Sequence, residues 1–483
     1  MNKELKQLQP TGVWNNFSKL NAVPRPSKKE ERVIAFAMDF GLALGLETFK
    51  DDVGNVIIRK PASAGMEHKK MVTLQSHLDM VHQKNSDTVF DFDNEGIQMF
   101  VDGDWVKAQG TTLGADNGMG VAVILTLLES TDIDHPPLEA LFTIDEETGM
   151  TGAFGLKGGV LKGEVLLNLD TEEDDEIDIG CAGGIDVTAK RKYNQKDALH
   201  GDIGYRIVVN GLKGGHSGMD IIKGLGNANK IMNRLLYSGM AFNMRIGSLD
   251  GGSLRNAIPR ESTCLVNIDK KQETAFIEAI AKVADTIKKE LSFVEPKLEI
   301  SFAKVKPSKK VMGLGAQGKF IKGVYAAING VYAMSASIPD LVETSNNIAR
   351  VQVNEGAVAI LCLTRSSVES GKMDLANALK SVFELAGFDV DFSGSYPGWN
   401  PNPNSKILVV TKTIYKELFK AEPRVVACHA GLECGILGQN YPEMDMISFG
   451  PTILGAHSPD ERVSITSVQK FWKFLLEVLK QTP

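Results

Sequence analysis

Short, mostly apolar runs punctuate this chain, and four of them lead into His, Asp or Glu. Met71–Leu74 runs to His77–Leu78–Asp79, and Leu138–Ile144 to Asp145–Glu146–Glu147. Val165–Leu169 runs to Asp170, and Met446–Phe449 leads through Gly450–Pro451 to His457. The first three runs are short and apolar on both faces, the pattern of buried parallel strands. Between them the spacing predicts a helix over Ser27–Gly41, a strand over Asn55–Arg59 and an apolar helix over Val121–Leu128. Asp116 stands where the N-cap of that last helix would fall. Residues 1–186 therefore read as a layered α/β arrangement with a mostly parallel sheet.

The pattern changes after residue 186. Ile203–Val209 alternates like a half-buried strand, and Gly214–Gly218 is a turn ahead of a helix reaching Leu236. Leu265–Ile268, Leu298–Phe302 and Val358–Leu363 read as strands, with an amphipathic helix over Glu273–Glu290. This alternation predicts a separate α+β core. Residues 395–483 return to the first pattern, with helices over Ser405–Phe419 and Ser467–Leu479 and a strand over Asp445–Phe449. The expected organisation is one domain made from residues 1–186 and 395–483, with residues 187–394 inserted as a second. Tyr396–Pro403 carries three prolines, which suit neither a helix nor a central strand, and is the expected linker.

Length and composition narrow the classes. A chain of 483 residues exceeds one ordinary core. Hydrophobic content of 43% with 23% charged residues is that of a globular protein. A net charge of -7 argues against nucleic acid or an anionic membrane as the main partner. Five cysteines, an odd and sparse count, point to a reducing compartment. The polar Met1–Pro10 opening and the absence of any long apolar run predict neither a secretory signal nor a membrane span, so the expectation is a cytoplasmic protein. Gly313, Gly315 and Gly318 have dinucleotide-fingerprint spacing but follow a Pro- and Lys-rich stretch, so no Rossmann site is expected.

Strand ends in an open α/β sheet are where ligands bind. His77, Asp116, Glu147, Asp170 and His457 are the candidate metal ligands. Taken singly each has an ordinary explanation: a satisfied polar group for a His, a solvated turn for Glu–Glu, a helix cap for Asp116. Buried strands that end repeatedly in carboxylates, however, call for a compensating cation. Nitrogen and carboxylate donors without thiolate suit zinc, cobalt or manganese. Five ligands exceed one catalytic zinc and suit two ions sharing a carboxylate. Asp79, on the same side of an extended segment as His77, can orient its imidazole. If Glu146 and Glu147 lie in an extended segment they point apart, one free to bind metal and the other to act as a base.

The motifs His77–Leu78–Asp79–Met80–Val81, Gly114–Ala115–Asp116–Asn117–Gly118, Asp145–Glu146–Glu147–Thr148–Gly149, Leu169–Asp170–Thr171–Glu172 and Gly455–Ala456–His457–Ser458–Pro459 occur in one order along nearly the whole chain. In this the chain resembles the co-catalytic zinc exopeptidases of the carboxypeptidase G, aminoacylase and carnosinase type, and within them the dipeptidases. The resemblance implies that His77 and Asp170 bind one metal, Glu147 and His457 the other, and that Asp116 bridges them. It also implies Glu146 as general base, Asp79 as the group that orients His77, and a metal-bridged hydroxide as nucleophile. Many relatives carry an acid where this chain has Asn117, a position outside the ligand set. Two divalent ions per subunit are implied, zinc foremost, with cobalt or manganese as substitutes.

In the inserted segment, Gly214–Gly218 and Gly251–Pro259 resemble lid motifs of the same family. There His216 would approach the scissile carbonyl or oxyanion and Asn256 would help hold the substrate. Arg365 is placed like the lid arginine that binds a substrate carboxylate, for which its two-pronged guanidinium is suited. His429–Gly435 resembles a pocket-lining segment in which Glu433 could meet a substrate amino group. The implied activity is hydrolysis of unblocked dipeptides, Xaa-His and others. The alternatives are an N-acyl amino acid deacylase or carboxypeptidase on the same site, or a metal-containing peptide-binding protein without turnover. The partner implied is a small peptide, and the assembly a homodimer or a monomer with an enlarged lid.

Overall fold

The computed structural model describes residues 4–336 and 338–482. The chain divides into two compact units. The first comprises Met1–Gly180, Trp399–Ala427 and Leu432–Pro483, and the second Cys181–Gly398 and Cys428–Gly431. The sequence reading set the breaks at 186/187 and 394/395 and did not foresee the short return at 428–431.

The first unit opens with helices α1 (Thr11–Asn21) and α2 (Glu31–Ala43) and strands β1 (Glu47–Lys50), β2 (Val56–Lys60) and β3 (Val72–His77). Strands β4 (Met99–Asp102) and β5 (Trp105–Ala108), helix α3 (Ala115–Glu129) and strands β6 (Leu138–Thr143), β7 (Val165–Asn168) and β8 (Glu176–Cys181) follow. Its main sheet has eight strands in the order β1-β2-β6-β3-β7, then Asp445–Ser448, β8 and Arg424–Cys428. Every residue of β3, β6 and β7 is buried, as their apolar runs require. These three and Asp445–Ser448 pair in parallel. The margins do not: β1 with β2, β2 with β6, and Asp445–Ser448 with β8 are antiparallel. The sheet is thus mixed, parallel at its centre. The β1–β2 link is a tight turn in which Asp51 Oδ1 accepts from the N–H groups of Val53, Gly54 and Asn55, and so short a connection reverses the chain.

Register places the site. His77 lies opposite Thr143, and Gln75 opposite both Leu141 and Asn168, so the strands finish level and release Asp79, Asp145–Glu147 and Asp170 at one edge. α3 is apolar on all sides and buried from Val121 to Leu128. The expected N-cap role of Asp116 is not what forms. The helix is entered through Gly114 at φ 70°, and Asp116 and Asn117 keep non-helical backbone angles, joined by a cis peptide. The helix expected over Ser27–Gly41 starts later, at Glu31, because Lys28 at φ 68° interrupts any earlier turn. A separate four-stranded sheet, Ile453–Leu454, Arg462–Ser464, β5, β4, completes the unit. His457 belongs to the loop joining its first two strands rather than to the end of Asp445–Ser448.

The second unit is a nine-stranded sheet with antiparallel pairings throughout, including Asp202–Asn210 with Ser262–Asp269 and Ala357–Ser366 with Gly183–Lys192. Four helices of eleven residues or more go with it, among them Glu273–Leu291, which buries Phe276, Ile280, Ala284 and Ile287 at helical spacing. Gly313 precedes the helix Leu314–Ala326, and the strand before it, Lys310–Met312, is three residues long and pairs antiparallel with Gln195–Asp197. Among the described residues no helix is long and apolar enough to cross a membrane.

Candidate metal centre

The strand-end residues converge through backbone and side-chain hydrogen bonds. His77 is fully buried, and its Nδ1 lies 3.2 Å from the carbonyl of Asp79 and 3.4 Å from its carboxylate. That carboxylate also accepts from Ser27 Oγ at 2.8 Å and from the N–H groups of Glu146 and Glu147 at 3.1 and 3.3 Å. Asp79 therefore touches both His77 and the Glu146–Glu147 turn. The two glutamates lie in a turn rather than an extended segment, so they do not point apart as expected: a carboxylate oxygen of each lies within 4.8 Å of the other and of a His77 ring nitrogen. Glu30 Oε1 secures the start of that turn by accepting from Asp145 N–H, and Asp145 itself sits at φ 54°.

Asp116 is the pivot. Its Oδ1 lies 3.1 Å from His77 Nε2, and its Oδ2 lies 3.1 Å from His457 Nε2. Asp170 Oδ1 is 3.5 Å from His77 Nε2, and Glu147 Oε2 is 2.9 Å from His457 Nε2. Two clusters result, His77–Asp116–Asp170 and Asp116–Glu147–His457, whose donor atoms lie within 4.8 Å of one another in each. Glu146 falls into a third such group, with His77 and Glu147. Asn117, one residue beyond the pivot, donates from Nδ2 to Asp170 Oδ1 and so fixes the other carboxylate of the first cluster.

The electrostatics are those of a site short of positive charge. Burial raises the Asp170 carboxyl to about 6, and it raises Glu146 and Glu147 with help from neighbouring carboxylates. Glu172, beside Asp116 and Asp170, is driven by burial to about 9. The histidines respond in the opposite sense. Hydrogen bonds to Asp116 and Glu147 lift His457 to about 11. Burial opposes charge on His77, yet Asp170, Asp116 and Asp79 outweigh it and hold its pKa well above the ordinary value. Glu147 Oε1 is buried without a hydrogen-bond partner. Buried carboxylates that crowd together and leave a lone pair unmet fit divalent cations, which would take the place that protons hold on the two imidazoles.

Two groups here, Glu461 and Arg25, carry no signal in the sequence; Glu433 carries one only through the His429–Gly435 resemblance. Glu461 is 2% exposed, and its carboxylate accepts from four consecutive N–H groups, Leu113 to Asp116, at 2.7–3.2 Å. Arg25, 1% exposed, donates to the carbonyls of Leu78, Asp79 and Gly114. Glu433 is fully buried. Its Oε2 accepts from Gln75 and Thr143 at 2.6 Å each, and burial pushes its carboxyl up to about 8. It thus sits among the strand residues that precede His77 and Asp145, away from any solvent-facing position.

In the second unit, His216 pairs with Ala257 across a two-residue ladder, and the Asn256 carbonyl accepts from Ser217 N–H, so these two motifs are joined. The Asn256 side chain stands on an exposed residue. Arg365 is 5% exposed; its Nη1 donates to the Tyr396 hydroxyl at 2.8 Å and its Nη2 lies 3.4 Å from His216 Nε2. Arg365 Nε is buried without a partner. His429 pairs with Ser345 at 2.8 Å, and burial, with Arg365 and His216 nearby, pushes it down to about 3.

An α/β sheet with two carboxylate–imidazole clusters sharing one aspartate at its strand ends defines the class: a metal-dependent hydrolase site. The family model for peptidase family M20/M25/M40 matches residues 73–481, and the chain belongs to that family. It is 43% identical over 482 residues to the cytosol non-specific dipeptidase of Escherichia coli strain K12, covering 99% of each chain. The crystal structure of aminoacylhistidine dipeptidase from Vibrio alginolyticus superposes with a TM-score of 0.92 at 43% identity, covering 100% of this chain and 99% of that one. A tripeptidase from Staphylococcus aureus, 16% identical with a TM-score of 0.56 over 98% of both chains, shares the fold.

Proposed function

We propose that this chain is a metal-dependent dipeptidase that hydrolyses unblocked dipeptides, Xaa-His among them. Family membership and full-length 43% identity to two dipeptidases support the activity. The observation that carries the site is Asp116, which offers one oxygen to each of two ligand clusters. In this reading His77 and Asp170 hold one divalent cation, Glu147 and His457 a second, and Asp116 serves both; zinc fits the donors, with cobalt or manganese as substitutes. When bound, such ions supply Lewis acidity to the scissile carbonyl and lower the pKa of the attacking water.

The remaining work falls to the protein. Glu146 takes the water's proton on its carboxylate and returns it to the departing amine. Asp79 holds His77 in one orientation while it fixes the Glu146–Glu147 turn. His216 and Asn256 contact the substrate's peptide unit, and Arg365, with its free Nε, pairs with the terminal carboxylate. Residues 1–186 and 395–483 form the catalytic domain and 187–394 the lid. The setting is cytoplasmic and the assembly a homodimer or a monomer with an enlarged lid.

The test is a library of free dipeptides, N-acyl amino acids and longer peptides offered to the zinc-loaded protein. Release of free amino acids from dipeptides alone is expected. Faster cleavage of acyl-amino acids would favour the deacylase reading, and release of terminal residues from long peptides the carboxypeptidase one. Full metal loading with no product would leave a binding protein.

A further inference from the structure

We infer that Glu461 is a positioning residue that ties the loop carrying His457 to the turn carrying Asp116. This rests on the two-cluster reading of the site and goes beyond its ligands and base. The His457 side chain is 56% exposed, so packing does not hold it. His457 has φ 63°, at the tip of a loop closed by Ser458 N–H on the Gly455 carbonyl and Glu461 N–H on the Ser458 carbonyl. Four residues on, Glu461 turns back into the molecule. Its Oε2 accepts from Leu113 and Gly114, and its Oε1 from Ala115 and Asp116.

Four consecutive N–H groups around one carboxylate form a nest for an anion, and here the anion belongs to the chain itself. The opposite side of the same turn is held as well. Arg25 Nη2 donates to the Gly114 carbonyl, while Nη1 donates to Leu78 and Asp79 beside His77. A Cβ on Gly114 would meet Arg25 Nη2 at 2.5 Å, so the turn admits no bulk there. The turn that carries Asp116 is thus gripped from two directions, and one grip leads directly to His457.

The consequence is unequal. The Asp116–Glu147–His457 cluster depends on Glu461 at both of its outer members. The His77–Asp116–Asp170 cluster depends on it at one, because His77 and Asp170 are fixed by strand ends and by Asn117. In Glu461→Gln an amide NH₂ would face two N–H donors, which removes one acceptor oxygen with its two hydrogen bonds and sets donor against donor. Removing such an outer contact typically weakens a metal by about 10–100-fold.

The experiment strips the full-length protein with a chelator and titrates Zn²⁺ against a chromophoric competitor, with the Co²⁺ absorption spectrum as a second readout. The unmodified chain should take up two ions. Glu461→Gln should bind the first nearly as before and the second about 10–100-fold more weakly, with an altered cobalt spectrum. Glu461→Asp, which keeps the charge, should recover part of the loss, and it carries the test should Glu461→Gln not fold. Arg462→Ala, which removes a stacking contact with Trp105 and a hydrogen bond to the Asp460 carbonyl, should lower the melting temperature without changing either affinity. Unchanged affinities in Glu461→Gln with a lower melting temperature would make Glu461 an ordinary helix cap and overturn the inference. Fewer than two ions on the unmodified chain would instead remove the two-cluster reading beneath it.

Discussion

The carboxylate of Asp79 makes contacts of three kinds: with the His77 ring, with the Ser27 hydroxyl and with the N–H groups of Glu146 and Glu147. Burial alone would raise its pKa, and the hydrogen bonds outweigh that and hold it below the ordinary carboxylate range. Asp79→Asn keeps the shape but sets an amide NH₂ against those donors. We expect metal affinity to fall about 10–100-fold in that variant, read by competition with a chelator. Glu146, the proposed base, allows the complementary test. Glu146→Gln should retain both metals and lose about 10²–10⁴-fold in turnover; near-normal turnover with metals bound would remove it as the base. The candidate acids and the His77 imidazole stand out in the chain because their motifs stand at an apolar run or a Gly-rich turn. Their supports were not. Ser27, Asn117, Glu461 and Arg25 act through hydrogen bonds to residues distant in the chain, which leave no periodic trace.

At the scale of elements, the buried strands were the clearest part of the sequence. β3, β6 and β7 are short, mostly apolar runs, buried on both faces, with Gln75, Glu139 and Asn168 among their buried polar residues. The antiparallel margins were harder to foresee, since direction depends on connection length rather than on composition. The hairpin of His457 has strands of two and three residues, too short for any pattern to register. Where α3 crosses β3, the packing leaves no slack. A Cβ on Gly120 would meet Asn117 Oδ1 at 2.2 Å, Ser76 Oγ at 2.3 Å and the Leu169 carbonyl at 2.8 Å. Gly120→Ala should therefore cost about 1–3 kcal/mol, seen as a lower denaturant midpoint. Because Asn117 holds Asp170, the same change should weaken metal binding. A stable variant with unchanged affinity would show that the helix start can shift without disturbing Asp170.

Over the whole molecule, one α/β unit is assembled from both ends of the chain, and an antiparallel unit is inserted between them. The inserted unit holds a buried arginine with one nitrogen unmet, Arg365, beside Tyr396 and His216. If that guanidinium receives the substrate's terminal carboxylate, amidation removes the partner and leaves a buried charge unpaired, which is costly. Dipeptide amides should then be much poorer substrates than free dipeptides, and Arg365→Ala should narrow the gap by harming the free dipeptide more. Equal rates on both by the unmodified protein would rule out carboxylate recognition. The central claim is the shared aspartate, and anomalous diffraction from crystals of the zinc-loaded protein tests it most directly. The account predicts two peaks per chain, one beside His77 and Asp170, the other beside Glu147 and His457, with Asp116 between them. A single peak, or zinc bound away from Asp116, would contradict it.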